Sequence, residues 1–396
     1  MIEILNPIVN QNTISYPVII DGISYIFKIS YTNIQLDTPL NTNIDGIVVL
    51  LTSIAMCNNW PIKSTLEIDQ CLYDNLLKLP EIYKKYHEKH TALLSMIMKE
   101  KINLVLDLPT CQRTRSTKDN GLNANISPLS MGIDSLHTLV SQKDNLTHLI
   151  YINDLDLSNK LIKFNQLIRN VSSSYNKPLI IANSNIKKIL GNLKIKDTMI
   201  SLPGTNYGVF TGDAIMLANC YPLGINTMYF SGFGGNIPCL MGQHTDLNQY
   251  YKSNEFYNVQ NETMRIKKIK YIIENNPSLL NVLRVCNEYT LNTHSKILNC
   301  TKCGKCTRTL LYLYMLGHYD KAVTFIKPVF INPNDNYLNY YIRTFFNAPN
   351  KTLATTYYDK ILTQILKIYT ENNNSIWDVL QNYNGTFNGD EYTFNI

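Results

Sequence analysis

The stretch Ser130-Met131-Gly132-Ile133-Asp134-Ser135 constrains this chain more than any other. It follows the apolar run Ile126-Ser127-Pro128-Leu129 and precedes a helix-like run, Leu136 to Val140. A small, hydroxyl-rich turn between a strand and a helix N-terminus points backbone N–H groups outward, where the helix dipole favours negative charge. Gly132 lets the backbone approach a phosphate closely. Ser130 and Ser135 can donate hydroxyl hydrogen bonds to phosphate oxygens, and the Met131 amide adds a backbone donor. Asp134 does not attract phosphate itself. A carboxylate beside a triphosphate serves as a Mg²⁺ ligand or orients the loop. The bland alternative is a serine-rich turn with no ligand.

From Leu122 onward, strand-like and helix-like segments alternate. Thr147 to Asn153 and Pro178 to Ala182 read as strands, with a helix from Leu157 to Val171 between them. Tyr207 to Cys220 reads as a helix and Ile225 to Ser231 as a further strand. This alternation predicts an α/β fold, a doubly wound parallel sheet of Rossmann-like type. Ligands in such sheets bind at the carboxyl ends of strands, where Ser130 to Ser135 falls.

The N-terminal third has another character. Val18 to Ile29 reads as a hairpin turning at Asp21-Gly22, a preferred type I′ pair. Ile23, Tyr25, Phe27, Ile29 and Tyr31 alternate as one strand face. Helices are expected at Ile44–Cys57 and at Asp74–Glu100, the second interrupted at Pro80. The apolar run Gly46 to Cys57 is too short to span a bilayer and reads as a buried helix. The polar stretch Thr110 to Asn120, with Arg113, Arg115 and Lys118, reads as an exposed connection. The expected division is therefore an α+β unit over 1–110, a nucleotide-binding domain over 121–275 and a helical region with a cysteine knuckle over 276–396. In the last, Thr352 to Tyr369 reads as a helix, followed by an Asn-rich tail after Glu371.

Cys300-Thr301-Lys302-Cys303-Gly304-Lys305-Cys306 is a C-x-x-C-x-x-C run, and Cys286 lies shortly upstream. Thiolates two residues apart in a tight knuckle, with a fourth from a nearby loop, suit tetrahedral Zn²⁺; the spacing also suits an iron–sulfur cluster. Four thiolates on Zn²⁺ carry a formal charge of about −2, which Lys296, Lys302, Lys305 and Arg308 offset. With nine cysteines, three of them in one knuckle, the chain fits a reducing cytoplasm better than a disulfide framework. Met1 to Leu5 lacks the basic region and cleavage site of a signal peptide. A net charge of +6 accommodates an anionic ligand but lacks the clustered charge of a dedicated nucleic-acid binder, so nucleic acid is not the favoured partner.

The loop resembles the pyrophosphate loop S-G-G-x-D-S of the N-type ATP pyrophosphatases, the adenine nucleotide alpha-hydrolase-like superfamily. Met131 stands where that family usually has glycine. Together with the four cysteines, the chain is similar to the 7-cyano-7-deazaguanine synthases, which pair this loop with a C-terminal zinc site. The resemblance runs from Asn123 to Phe325, about half the chain. Asn299 to Thr309, with Arg308-Thr309 closing the motif, is closer to a broader group of uncharacterised relatives. The resemblance implies ATP and Mg²⁺ at Ser130, Met131, Gly132, Asp134 and Ser135, and structural Zn²⁺ on Cys286, Cys300, Cys303 and Cys306. It implies an enzyme that adenylates a carboxylate with release of pyrophosphate and passes the product to a nitrogen or sulfur nucleophile. The N-terminal third has no counterpart in the deazaguanine enzymes.

Three further residues are candidates for the catalytic set alongside Asp134. His244, in Gly242-Gln243-His244-Thr245-Asp246, is either an acid–base group or a surface-loop histidine. Arg265 and Lys268 share a helix face. They hold pyrophosphate or a substrate carboxylate, or form a solvated basic face. Asp213 opens its helix near the nucleotide or is only a favourable first-turn acid. His137 reads as packing. The competing functions are an ATP-dependent sulfurtransferase acting on tRNA or a small molecule, with Cys111, Cys220 and Cys239 as nucleophile candidates, and a non-catalytic zinc-knuckle binding protein. The favoured partners are ATP and a small-molecule substrate; a homodimer is compatible with either enzymatic reading, and no membrane partner is expected.

Overall fold

In the computed structural model of this chain the described residues are 1–36, 39–89, 103–113, 121–153, 162–193, 212–232, 245–260, 263, 265–286, 297–301, 303–316, 318, 323–326, 386–387 and 392–393. The expectations for Arg115, Lys118, the Thr352–Tyr369 helix and the stretch that follows it up to 385 lie outside them. Two compact units form. One comprises Met1–Ser130, Thr138–Phe233 and Cys239–Thr263, and the other Met131–His137, Gly234–Pro238 and Met264–Ile396.

The first unit starts with strands β1 (Ile2–Ile4), β2 (Ile8–Asn10), β3 (Thr13–Ile20) and β4 (Ile23–Thr32). Helix α1 (Asp45–Asn58), β5 (Ile62–Lys63), β6 (Ile68–Asp69), α2 (Gln70–Leu76), α3 (Leu79–Lys89), β7 (Leu106–Asp107) and β8 (Thr110–Cys111) follow. Next come β9 (Asn125–Pro128), α4 (Ile133–Ser141), whose first turn belongs to the second unit, β10 (His148–Ile152), α5 (Ile162–Ser174), β11 (Leu179–Ser184), α6 (Ile186–Asn192), α7 (Gly212–Cys220), β12 (Thr227–Phe230), α8 (Thr245–Asn248) and β13 (Tyr257–Gln260). The architecture is α/β. Among the described residues, one mixed and mostly parallel sheet runs β13-β12-β9-β10-β11-β4-β3-β1-β5-β7, with β2 beside β3.

The expected boundary between 110 and 121 does not separate two sheets. β4 pairs antiparallel with β11, Ile29 opposite Ser184 through Thr32 opposite Ile181. The N-terminal hairpin thus extends the central sheet. The local reasons for its strands are plain. β3 buries Ile14, Tyr16, Val18 and Ile20 on one face. Asp21 and Gly22 take φ of 50° and 77°, as a type I′ turn demands. The alternation in β4 holds only from Phe27 onward; Ile23 is 54% exposed, because the hairpin tip projects past the pairing with β11. At that edge Asn185 substitutes for a strand: its Nδ2 donates to the Ile26 carbonyl, and its Oδ1 accepts from the Lys28 N–H.

The strands β10 and β11 are nearly continuous apolar runs, as expected of parallel strands covered on both faces. Helix α1 is buried from Asp45 to Met56, which explains why its sequence is mostly apolar on every face. Gly46 permits its close packing on Tyr221, since a Cβ there would lie 2.8 Å from the Tyr221 Cβ. Pro80 falls in the first turn of α3, where its missing N–H costs nothing, so the expected long helix is two.

Arg113 departs from the exposed reading of its segment, in which Thr110 and Gln112 are exposed. Its Nη1 donates to Oδ2 of Asp45 at 2.8 Å, and its Nη2 to the Glu67 carbonyl at 2.9 Å. Asp45 is fully buried in the first turn of α1, and its other oxygen accepts the Asp69 N–H. Asp69 in turn caps α2 through Leu72 N and accepts from Asn254 N. One ion pair therefore ties four separate segments together.

In the second unit, α9 (Arg265–Asn275) leads through a 3₁₀ turn, Pro277–Val282, to the cysteine region and α10 (Gly304–Met315). A short pair, β14 (Thr386–Phe387) and β15 (Tyr392–Thr393), lies near the C-terminus. No helix among the described residues is long and apolar enough to cross a membrane.

Candidate functional site

The loop leaves β9 through Leu129, whose N–H donates to the Ile150 carbonyl. Ser130 is exposed. Met131 is fully buried and takes φ +60°, a left-handed conformation that a side chain rarely adopts. Its carbonyl accepts from Arg284 N at 2.9 Å, which holds the turn. Glycine would take this φ without strain; methionine takes it with its side chain buried. The Gly132 carbonyl accepts from Leu136 N and from the Ser135 hydroxyl at 3.0 Å, and so opens α4. In this state the Ser135 hydroxyl hydrogen is directed inward, to the backbone.

This predicts an inverted order of stability. Glycine is normally the worse replacement, yet Met131→Gly should be less destabilising than Met131→Ala by roughly 1 kcal/mol, because only glycine relieves the φ. Both lose a buried side chain, which costs about 2–5 kcal/mol. Denaturant melts of the two variants check the order.

Asp134 lies in the first turn of α4. Arg265 Nη2 donates to its Oδ2 at 2.7 Å, and Lys268 Nζ to its Oδ1 at 2.7 Å. Lys268 is only 1% exposed, so the solvated reading of α9 fails for it; Lys267 faces water instead. Two cations in the first turn of a helix oppose its dipole and call for an anion. Asp134 supplies one carboxylate against both. Burial would raise its pKa, but Arg265, then Lys268 and Lys305, hold it below the usual carboxylate range. Lys305 and Arg308, one turn apart on α10, bring further positive charge. Crowding by protein, then Arg265 and Arg308, draw the Lys305 ammonium down to about 8, although its side chain still reaches solvent. His137 is buried edge-on against Tyr271, with ring centroids 5.3 Å apart; burial and then Lys268 lower its pKa to about 4. It is a neutral packing residue. His244 lies outside the described residues. Asp213, in the first turn of α7 in the other unit, is fully buried with its carboxyl held well above its usual range by desolvation.

Cys286, Cys300, Cys303 and Cys306 are all buried, with their sulfur atoms within 4.8 Å of one another. The Cys300 and Cys306 sulfurs are 3.9 Å apart. A tetrahedral site with Zn–S of about 2.3 Å needs an edge of about 3.8 Å. Thr301 turns the knuckle with φ +63°, and Cys303 N donates to the Cys300 sulfur. Thiol–thiol hydrogen bonds hold Cys286 and Cys306 high, protons that a divalent cation displaces. The residues fit a metal such as zinc.

The residue that assembles this cluster escaped sequence reasoning. Asn299 is fully buried. Its Oδ1 accepts from Val285 N at 2.7 Å and Cys286 N at 3.1 Å, and its Nδ2 donates to the Leu283 carbonyl and Thr324 Oγ1. It joins the segment bearing Cys286 to the one bearing Cys300. Its place directly before Cys300 was the available signal.

Comparison with family models, with curated proteins and with solved structures finds no match to this chain.

Proposed function

We propose that this chain is an ATP-dependent enzyme that adenylates a carboxylate-type substrate and releases pyrophosphate. One observation carries the reading: Arg265 and the buried Lys268, in the first turn of one helix, converge on the aspartate of the loop, with Lys305 and Arg308 adding positive charge nearby. An excess of cations at a helix N-terminus suits an oxyanion. The sheet adds support. The parallel order β11-β10-β9-β12-β13 reverses at β9, as in Rossmann-like nucleotide-binding halves, and Leu129 and Ser130 leave the carboxyl end of that strand.

In this reading a substrate carboxylate oxygen attacks the α-phosphorus, the bond to the bridging oxygen breaks, and pyrophosphate leaves. Arg265 and Lys268 stabilise the charge that collects on it. A nitrogen or sulfur nucleophile then displaces AMP from the acyl adenylate. Asp134 would hold Mg²⁺, which neutralises the β,γ-phosphates. The four cysteines would hold Zn²⁺, which leaves no open position and is therefore structural. A cysteine-nucleophile sulfurtransferase is less favoured by two of its three candidates: burial pushes the Cys220 thiol up, and Cys111 donates to the Ile68 carbonyl, while Cys239 lies outside the described residues.

The test is pyrophosphate release from ATP and Mg²⁺ across a panel of carboxylates, with ATP binding by calorimetry. Lys268→Ala should lower turnover more than it raises KM, since it removes a contact strongest in the transition state. Absence of ATP binding at millimolar concentration would overturn the reading.

A further inference from the structure

The cations that the proposed function assigns to pyrophosphate are already engaged. Arg265 and Lys268 each hold a different oxygen of Asp134 at 2.7 Å. Lys268, at 1% exposure, has no water to fall back on. The carboxylate therefore stands, on these two cations, where phosphate oxygens would stand. A polyphosphate arriving alone meets like charge and must strip a buried ion pair. A divalent cation arriving alone meets a carboxylate already covered by a guanidinium and an ammonium. When both arrive together the pairs exchange: the divalent cation takes Asp134, and the phosphate oxygens take Arg265 and Lys268. Every charge stays paired throughout, which matters because an uncompensated buried charge is strongly unfavourable.

We propose that Asp134, Arg265 and Lys268 form a double-exchange site, whose ligand is a polyphosphate complexed with a divalent cation rather than a free oxyanion. The inference rests on the nucleotide reading above. It makes Asp134 a competitor for the anion in the absence of metal and a ligand in its presence. Removing the carboxylate therefore strengthens one binding mode and ends the metal dependence of the other.

The experiment measures pyrophosphate binding by calorimetry, with excess Mg²⁺ and with none, for the full chain and for Asp134→Asn. Comparing the two proteins cancels the chemistry of Mg²⁺ and pyrophosphate in free solution. The wild type should gain affinity with Mg²⁺. Asp134→Asn should bind metal-free pyrophosphate about tenfold more tightly than wild type, within the usual range of coupling between sites, and should gain nothing further from Mg²⁺. Arg265→Gln keeps the Lys268 pair and so guards against a variant that fails to fold. It uncovers half the carboxylate and should bind Mn²⁺ alone about tenfold more tightly than wild type, read by loss of the free-ion electron resonance signal. Unchanged or weaker metal-free pyrophosphate binding in a folded Asp134→Asn, or unchanged Mn²⁺ binding in Arg265→Gln, overturns the exchange. If wild type still binds ATP in that event, the nucleotide reading survives. If neither protein binds pyrophosphate or ATP under any condition, both readings fall.

Discussion

Arg113→Ala should destabilise the first unit by about 3–5 kcal/mol at pH 8, the expected cost of breaking a buried ion pair from one side. Asp45, with no exposed surface, would keep its charge with the Asp69 N–H but without the cation it pairs with. The loss should depend on pH in a defined direction. Burial raises the Asp45 pKa to about 6 even with Arg113 lowering it. A raised carboxyl pKa means that the folded state holds the proton more tightly than the unfolded one. Its contribution to stability is thus full below the unfolded pKa of about 4 and is lost as pH rises through about 6. Without Arg113 the pKa climbs further, so the variant should be much closer to wild type at pH 5, where Asp45 protonates, than at pH 8. Denaturant melts at the two pH values check this. Adding Asp45→Asn should restore part of the loss at pH 8, and an equal cost at both values would show that the ion pair is not the cause.

Asn299→Leu is the second large effect. Leucine has as many side-chain heavy atoms as asparagine but takes the acceptor from the buried Val285 and Cys286 N–H groups, while the Thr324 hydroxyl still donates to the Leu283 carbonyl. Each such group costs about 1–3 kcal/mol, so a total of about 2–6 kcal/mol is expected. Because those N–H groups belong to Val285 and Cys286, the Cys286 thiol is no longer aimed. Metal affinity should fall about 10–100-fold, as when groups supporting a ligand are removed. Elemental analysis of protein purified without chelator should give one zinc per wild-type chain and less in the variant. Iron with a visible absorption band would instead assign the cysteines to a cluster.

Local chemistry was the legible part of this chain. Asp21-Gly22 announced its turn, the apolar run at 46–57 its buried helix, and the cysteine spacing its knuckle. The left-handed φ of Met131 was not among the legible features. What stayed hidden depends on partners distant in sequence. Nothing near Ser30 indicates that it lies beside Asn183, and without that pairing the hairpin reads as a separate unit. Arg113 sits among polar residues, and only Asp45, 68 positions away, draws it into an ion pair with the core. Arg265 and Lys268 were legible as a pair on one face of α9, but periodicity gives a helix face and not that both cations meet Asp134.

The junction between β4 and β11 also bears on how the chain is made. Ser30 and Asn183 are 153 residues apart. At about 5–20 residues per second of synthesis, the hairpin emerges roughly 8–30 s before the strand that completes its flank. Through that interval β3 and β4 can satisfy one another, but Ile29 to Thr32 present an open strand edge with Tyr31 uncovered. Aggregation of nascent chains should therefore be most acute before Ser184 clears the ribosome. A truncation ending just short of β11 should engage chaperones far more than one ending just beyond it.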